Sequence, residues 1–371
     1  MTRTLHPGAW WLWAMGLATA ASRTTNPLLL GLILAVTALV AVHCREDTPW
    51  SGSYGVFLRF GLVVIAIRVT LHILLGGVVG PTVLFSLPQV PLPDWAHGIR
   101  LGGPVTAEGL VYALDEGLLL TALLACVGAA NALANPRRLL RTLPAALYEV
   151  SVAVVVAMTV APQLVASGRA VRRARLLRGD TSRGWRAVRA VLVPVLEDAL
   201  DRSLVLAAAM DSRGYGRSAG VSRAARRVTG ALVLGGLLGI CVGTYGLLDD
   251  TSPVLIGVPL FGAGLALAVA GLVLGARRVS RTRYRPDRWR APEVAIAASG
   301  LVAAAATLLT GALGSVALGS LDLVPAVVPL QAPRLPLLPA AGILLALAPA
   351  LIAPRPERLP AGAAARQEVP A

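Results

Sequence analysis

EGLVYALDEGLLLTALLACVGAANALANPRR, residues 108–138, is the stretch that decides the fold. Apart from Asp115-Glu116 its interior is predominantly apolar over more than the ~20 residues a helix needs to cross a hydrocarbon core. Its end is abrupt: Asn135-Pro136 halts the helical pattern and Arg137-Arg138 follow at once. Arginines that close an apolar run belong on the cytoplasmic side of a membrane. The run therefore reads as a spanning helix that exits into the cytoplasm.

The same pattern repeats in both directions. On the N-terminal side, residues 9–42 form an apolar stretch too long for one simple span, and Ser22-Arg23-Thr24-Thr25-Asn26-Pro27 divides it in two. A third span covers about 56–79, and the Pro- and Gly-rich segment 80–104 reads as an ordered extracytoplasmic loop. On the C-terminal side, 228–248 and 254–275 read as a hairpin of spans. The Gly235/Gly239/Gly243 and Gly271/Gly275 spacings there permit close helix contact. Seven arginines between Arg277 and Arg290 mark a further cytoplasmic segment, and apolar stretches 294–318 and 335–353 follow it. The expected fold is all-α: a polytopic membrane protein with about eight transmembrane helices and two cytoplasmic coupling helices. Residues 1–142 and 228–353 hold four spans each, 143–227 form a cytoplasmic or interfacial hairpin, and 354–371 a disordered tail. Both termini are expected in the cytoplasm, with no cleavable signal peptide at the start.

Composition points the same way. Apolar residues make up 56% of the chain and charged ones 14%, against ~25% charged in soluble domains. The net charge is +15, and every residue counted as Lys or Arg is arginine. Arginine excess in a membrane protein reports the cytoplasmic side before it reports nucleic acid. The missing lysine excludes a P-loop, whose Gly-Lys-Ser/Thr holds nucleotide phosphates, and also Schiff-base chemistry. Any ATP-driven work must come from another chain. Cys44, Cys126 and Cys241 form no CxxC, and the four histidines sit on different elements, so neither a metal site nor a cofactor is expected. Asp249-Asp250 lacks the second acidic cluster that a metal-diphosphate enzyme would need.

The middle of the chain departs from the pattern. Residues 143–166 are apolar but interrupted by Pro144, Glu149, Pro162 and Gln163, and eight arginines follow between Arg169 and Arg189. A crossing here would leave that basic run outside, so a bent helix leaving on the side it entered is expected. Residues 187–213 are amphipathic. Glu197, Asp198, Asp201 and Arg202 form a polar patch, with Val191, Val195, Leu196, Ala199, Leu200 and Leu204 opposite. Three carboxylates so close together place this helix at the interface and out of hydrocarbon. Each half of the unit ends in Arg-Gly, at Arg178-Gly179 and Arg213-Gly214-Tyr215. Glycine past a helix end caps it in the left-handed conformation, and arginine suits the negative end of the helix dipole. Two such ends about 35 residues apart on one exposed hairpin point further, to docking on a partner's carboxylates. In the third span Arg68 and His72 lie four apart, and Asp115 or Glu116 could pair with them inside the membrane.

These stretches resemble, in order, the transmembrane (T) component of energy-coupling factor (ECF) transporters, the family of T subunits that includes those of cobalt and nickel uptake systems. Leu5-His6-Pro7 with Asn26-Pro27-Leu28 is similar to its opening spans. Thr106-Ala107-Glu108-Gly109-Leu110 and Asn135-Pro136-Arg137-Arg138-Leu139-Leu140 are similar to its middle span and exit. Most specific is VPVLEDALDRSLVLAAAMDSRGYG, residues 193–216, which looks like its second coupling helix. The resemblance implies a non-catalytic subunit whose two coupling helices dock on two ABC-type ATPase subunits and pass their motion to a small substrate-binding membrane (S) component. Its cargo would be a vitamin or a transition-metal ion. Arg178 and Arg213 would be the docking arginines, with Gly179, Gly214, Arg175 and Tyr215 beside them. Leu177 and Ser212 stand where the family carries alanine. The alternative is a self-contained secondary transporter or channel, for which the spans offer few polar groups beyond Arg68 and His72.

Overall fold

A computed structural model describes residues 5–45, 52–76, 80–90, 101–142, 148–179, 184–214, 222–248, 257–278, 289–314 and 323–353. Twelve helices and one two-stranded sheet run through them: α1 Pro7–Ser22, α2 Pro27–Cys44, α3 Ser53–Leu75, β1 Val83–Val90, β2 Leu101–Thr106, α4 Ala107–Leu133, α5 Pro136–Thr142, α6 Tyr148–Leu177, α7 Trp185–Ser212, α8 Arg223–Leu248, α9 Val258–Arg278, α10 Ala291–Gly314, α11 Leu337–Leu345 and α12 Ala348–Ile352. They divide into two compact units, Met1–Leu139 with Asp287–Ala371, and Leu140–Pro286. Tyr215, the Asp249-Asp250 turn and the tail 354–371 lie outside the described residues.

Local chemistry sets the helix starts. His6 Nδ1 accepts from the Gly8 N–H at 3.1 Å, with Pro7 opening α1. Asn26 Oδ1 accepts from the Leu28 N–H at 3.0 Å, with Pro27 opening α2. Thr106 Oγ1 accepts from the Gly109 N–H at 3.2 Å at the head of α4. Each side chain satisfies an amide that has no intrahelical acceptor, and proline at the first position forfeits none.

Among the described residues, seven helices have the length and composition to cross a membrane: α2, α3, α4, α6, α8, α9 and α10. The set differs from the expected eight. Helix α1 has 16 residues, about 24 Å at 1.5 Å per residue, short of the ~30 Å hydrocarbon core. The last apolar stretch, 335–353, is divided into the nine-residue α11 and the five-residue α12. Helix α6 joins the set because it does not end near residue 166. It runs through Pro162 to Leu177 as one helix, carried by the strong helix formers Ala, Arg and Leu. Within the segment 80–104, expected as an ordered loop, β1 instead pairs antiparallel with β2, with Val83 opposite Thr106 and Leu87 opposite Gly103. Gly102 and Gly103, at φ +82° and +124°, supply conformations that the pairing needs and other residues resist.

The first unit packs α1, α2 and α4 with the C-terminal α10–α12 around Trp13, Leu17, Leu30, Ile33, Ala125 and Ile343, all buried. The C-terminal segment is tied in by buried hydrogen bonds. Trp13 Nε1–H donates to the Ala346 carbonyl at 3.0 Å, and Thr24 Oγ1–H to that of Leu323 at 2.6 Å. Asn26 Nδ2–H donates to the Arg334 carbonyl at 2.7 Å, while the His6 ring lies tilted at 38° against Trp289 with ring centres 4.9 Å apart. The core at α1–α10 is thin enough for backbones to touch, because Gly16 faces Gly300.

In the second unit α8 lies against α9 along a glycine seam. A Cβ on Gly239 would stand 2.8 Å from Gly264 Cα, and one on Gly271 would stand 2.8 Å from Val233 Cγ2. Gly243 also faces α9, at Phe261. Gly235, expected in this seam, points into open space, and its neighbour Gly236 meets Ala268 instead. The expected result of Gly264→Val is a loss of roughly 1–3 kcal/mol from overpacking, whereas Gly235→Val is neutral to within about 0.5 kcal/mol. Thermal unfolding of the two variants in detergent checks the contrast.

Candidate functional site

Helices α6 and α7 form an antiparallel hairpin held at two levels. Near the turn, Arg175 Nη1–H donates to the Ala187 carbonyl at 2.9 Å. Eight residues further back along α6, Ser167 Oγ–H donates to Asp198 Oδ2 at 3.0 Å, and Arg202 Nε–H donates to Asp198 Oδ1, also at 3.0 Å. Gly168 lets Val195 come to ordinary contact between these levels. Ala187, Val191, Val195 and Ala199 are half-buried, while Leu192, Leu196, Leu200 and Leu204 are exposed. The apolar side of α7 is thus wider than its contact with α6, and α7 has no fully buried residue.

Arg202 and then Ser167 donate to the Asp198 carboxylate and hold it below the usual carboxylate range. A lowered folded pKa adds stability above the unfolded value, about 3.9, and that stability is lost as pH falls through the folded value. Hydrogen-exchange protection factors at residues 160–170 and 193–205, taken relative to the intrinsic rate at each pH, are expected to be unchanged from pH 8 to about 5 and to fall below about pH 4. In Asp198→Asn the lowered protection is expected already at neutral pH.

Both Arg-Gly ends share one geometry. At the first, the Arg178 N–H reaches the Ala174 and Arg175 carbonyls at 3.2 and 3.1 Å, and the Gly179 N–H that of Leu176 at 3.1 Å. At the second, the Arg213 N–H reaches the Met210 carbonyl at 3.1 Å and the Gly214 N–H that of Asp211 at 2.9 Å. Gly179 and Gly214 have φ +77° and +74°, with no atom within 4 Å of where a Cβ would stand. Glycine is needed here for its left-handed backbone and not for space. Arg178 and Arg213 are exposed, and among the described residues their side chains have no partner. Arg175 differs, being half-buried and bonded across the hairpin. In an antiparallel hairpin the C-terminal ends of the two helices point apart. The 28 residues of α7 therefore separate the Arg-Gly ends by about 40 Å.

The other residues singled out by sequence lie in the first unit. Arg68 Nη2 pairs with Glu116 Oε2 at 2.5 Å, and Tyr112 O–H donates to Glu116 Oε1 at 2.7 Å. Asp115 does not join them. It is buried on the face of α4 that carries Ala122, Cys126 and Ala129, and it makes no hydrogen bond or ion pair with a described residue. His72 is half-buried, also without such a bond. Sequence reasoning did not find Tyr112; its spacing of four from Glu116 was the available signal.

The family profile described as cobalt transport protein (CbiQ) matches residues 1–222, a span that takes in α1 to α7 and both Arg-Gly ends. No curated protein matches the chain.

Proposed function

The chain belongs to the cobalt transport protein family (CbiQ), and from that premise we propose that it is the coupling subunit of an energy-coupling factor ABC importer. It is a multi-pass membrane protein with long apolar helices. In this reading it sits in a bacterial inner membrane with both termini in the cytoplasm. Two ATPase subunits bind at the two Arg-Gly ends, and the α6–α7 hairpin carries their motion to a small substrate-binding membrane subunit. The cargo is a transition-metal ion, as the family's description suggests, or a vitamin.

The observation that carries the reading is the pair of exposed arginines, each beside a left-handed glycine, at opposite ends of one hairpin. Identical caps separated by about 40 Å suit two copies of one partner. A planar guanidinium at each offers a carboxylate two parallel hydrogen bonds. The absence of lysine from the whole chain excludes a P-loop here, which assigns hydrolysis by an ATP-binding cassette to another chain.

Affinity purification of the tagged full chain from its native membranes tests the proposal. Native mass spectrometry is expected to show two ATP-binding cassette subunits per chain. Purification without any ATPase, together with uptake that proceeds in the absence of ATP, would point to a secondary transporter instead.

A further inference from the structure

We propose that the outer face of α3 and α4, centred on Arg68 and Glu116, is an intramembrane docking surface. Its occupant is a spanning helix of a second membrane subunit that brings one acceptor side chain (Asp, Glu, Asn or Gln) to Arg68. The inference rests on the coupling reading only in supposing that such a subunit exists.

Depth comes first. Helix α3 has 23 residues, about 34 Å of helix, close to the hydrocarbon thickness. Arg68 lies seven residues from its Leu75 end, about 10 Å inside. Glu116 lies nine residues into α4, about 14 Å from its start. Both charges are therefore at a level where ionised groups face a protein interior or a water-filled cavity.

This pair faces neither within the described residues. The Arg68 side chain is 47% exposed and that of Glu116 27%, although tight packing begins immediately beside them. Gly117 meets Ile65, Gly61 meets Thr121 and Gly128 meets Phe57. That antiparallel register carries His72 to the level of Tyr112, so the polar group extends one turn along the rim of the seam. Around it the face is apolar and exposed at Phe60, Val63, Ile67, Leu71 and Leu74. These positions recur at three and four and so form one stripe along α3, which a helix laid beside Arg68 would meet.

Charge complementarity names the occupant. Glu116 accepts from Arg68 Nη2 and from Tyr112, which uses both of its oxygens. Arg68 Nε and Nη1 donate to no described residue. A guanidinium has five donors in a fixed plane and cannot shed its proton. In hydrocarbon those donors require an acceptor, and lipid tails offer none. An apolar partner helix with a single acceptor at this depth satisfies them, and its other residues match the stripe.

The test uses the full chain expressed in its native host, purified from membranes as wild type, Arg68→Leu, Leu71→Trp and Arg213→Glu. Leu71→Trp adds bulk to an exposed position, so it blocks the face even if Arg68→Leu misfolds. Both α3 variants are expected to lose at least tenfold of a co-purifying multi-pass subunit while keeping both ATPases; Arg213→Glu is expected to keep that subunit and to lose one of the two ATPases. The lost subunit must carry an Asp, Glu, Asn or Gln inside a span, and its change to Leu must reproduce the loss. Retention of the membrane subunit by Leu71→Trp overturns the inference and leaves the coupling reading standing. Absence of ATPases from the wild type sinks the coupling reading and leaves this surface to be judged by the membrane subunit. A lipid is the competing occupant. If phosphatidylglycerol nanodiscs raise the wild-type Tm over phosphatidylcholine, and Arg68→Leu abolishes that rise while keeping the subunit, Arg68 holds a lipid phosphate and the inference fails.

Discussion

Gly300→Val is expected to detach the C-terminal helices from the first unit and to remove most of the folded protein from the membrane. A Cβ at Gly300 would fall on the main chain of Trp13, 2.5 Å from its Cα, and one at Gly16 would fall on the Gly300 carbonyl. No rotamer relieves a clash with backbone, so the two helices must move apart. Overpacking of a tight core costs roughly 1–3 kcal/mol. Here the separation also strains buried bonds, since Trp13 donates to Ala346 and Thr24 to Leu323. Leaving one such buried group unpaired costs about 1–3 kcal/mol more. A total loss of about 3 kcal/mol or more is a large part of the 5–15 kcal/mol that typical domains possess. Gly311→Ala is the control, because its Cβ would stand at an ordinary 3.8 Å from Leu323 Cδ1. Thermal unfolding in detergent should place Gly311→Ala with the wild type and Gly300→Val far below it. Equal stability of the two would show that the α1–α10 contact does not carry the unit.

Charge reversal at both hairpin ends should abolish uptake while leaving the fold intact. Arg178 and Arg213 have no side-chain partner among the described residues, so Arg178→Glu and Arg213→Glu remove no internal bond. Surface changes of that kind usually shift stability by no more than about 0.5 kcal/mol. On the proposed reading each arginine meets a carboxylate in an ATPase. Reversal then replaces a charge-assisted pair with repulsion, an effect of about 2–5 kcal/mol for a buried interfacial pair. The double variant is expected to lose at least a hundredfold of ATPase binding and all ATP-dependent uptake, with an unchanged Tm. Each single variant should retain one ATPase, because the two ends are independent sites about 40 Å apart. Uptake at the wild-type level in the double variant would end the coupling proposal. Gly214→Ala separates backbone from charge, since the space around it is open and only the left-handed φ of +74° resists. It should cost about 1–2 kcal/mol of local order and weaken binding less than Arg213→Glu does.

Most of the features that resemble the family are local, and local features were legible. Leu5-His6-Pro7, Asn26-Pro27-Leu28 and the Thr106 segment proved to be helix caps, whose hydrogen bonds join residues two or three apart. The same holds for the Arg-Gly ends, where every bond that shapes the turn lies within four residues. The polar patch on α7 was also legible, and Asp198 and Arg202 do pair across one turn. That Asp198 also accepts from Ser167 on another helix was not, because nothing in the spacing links the two.

By itself, then, the sequence determined which stretches are apolar, where α1, α2 and α4 are capped and which ends expose arginine. These properties depend on composition and on neighbours within a turn. The tertiary structure alone decided which helices meet. It brought α10–α12 back against α1 and α2, chose Glu116 over Asp115 for Arg68, and turned Gly236 rather than Gly235 toward α9. The reason is the solvent. In water a helix marks its buried face with an apolar stripe, but a spanning helix is apolar all round and carries no such mark. Its partner is selected by the fit of small residues against backbone and by scarce polar bonds, and both exist only once the helices have come together.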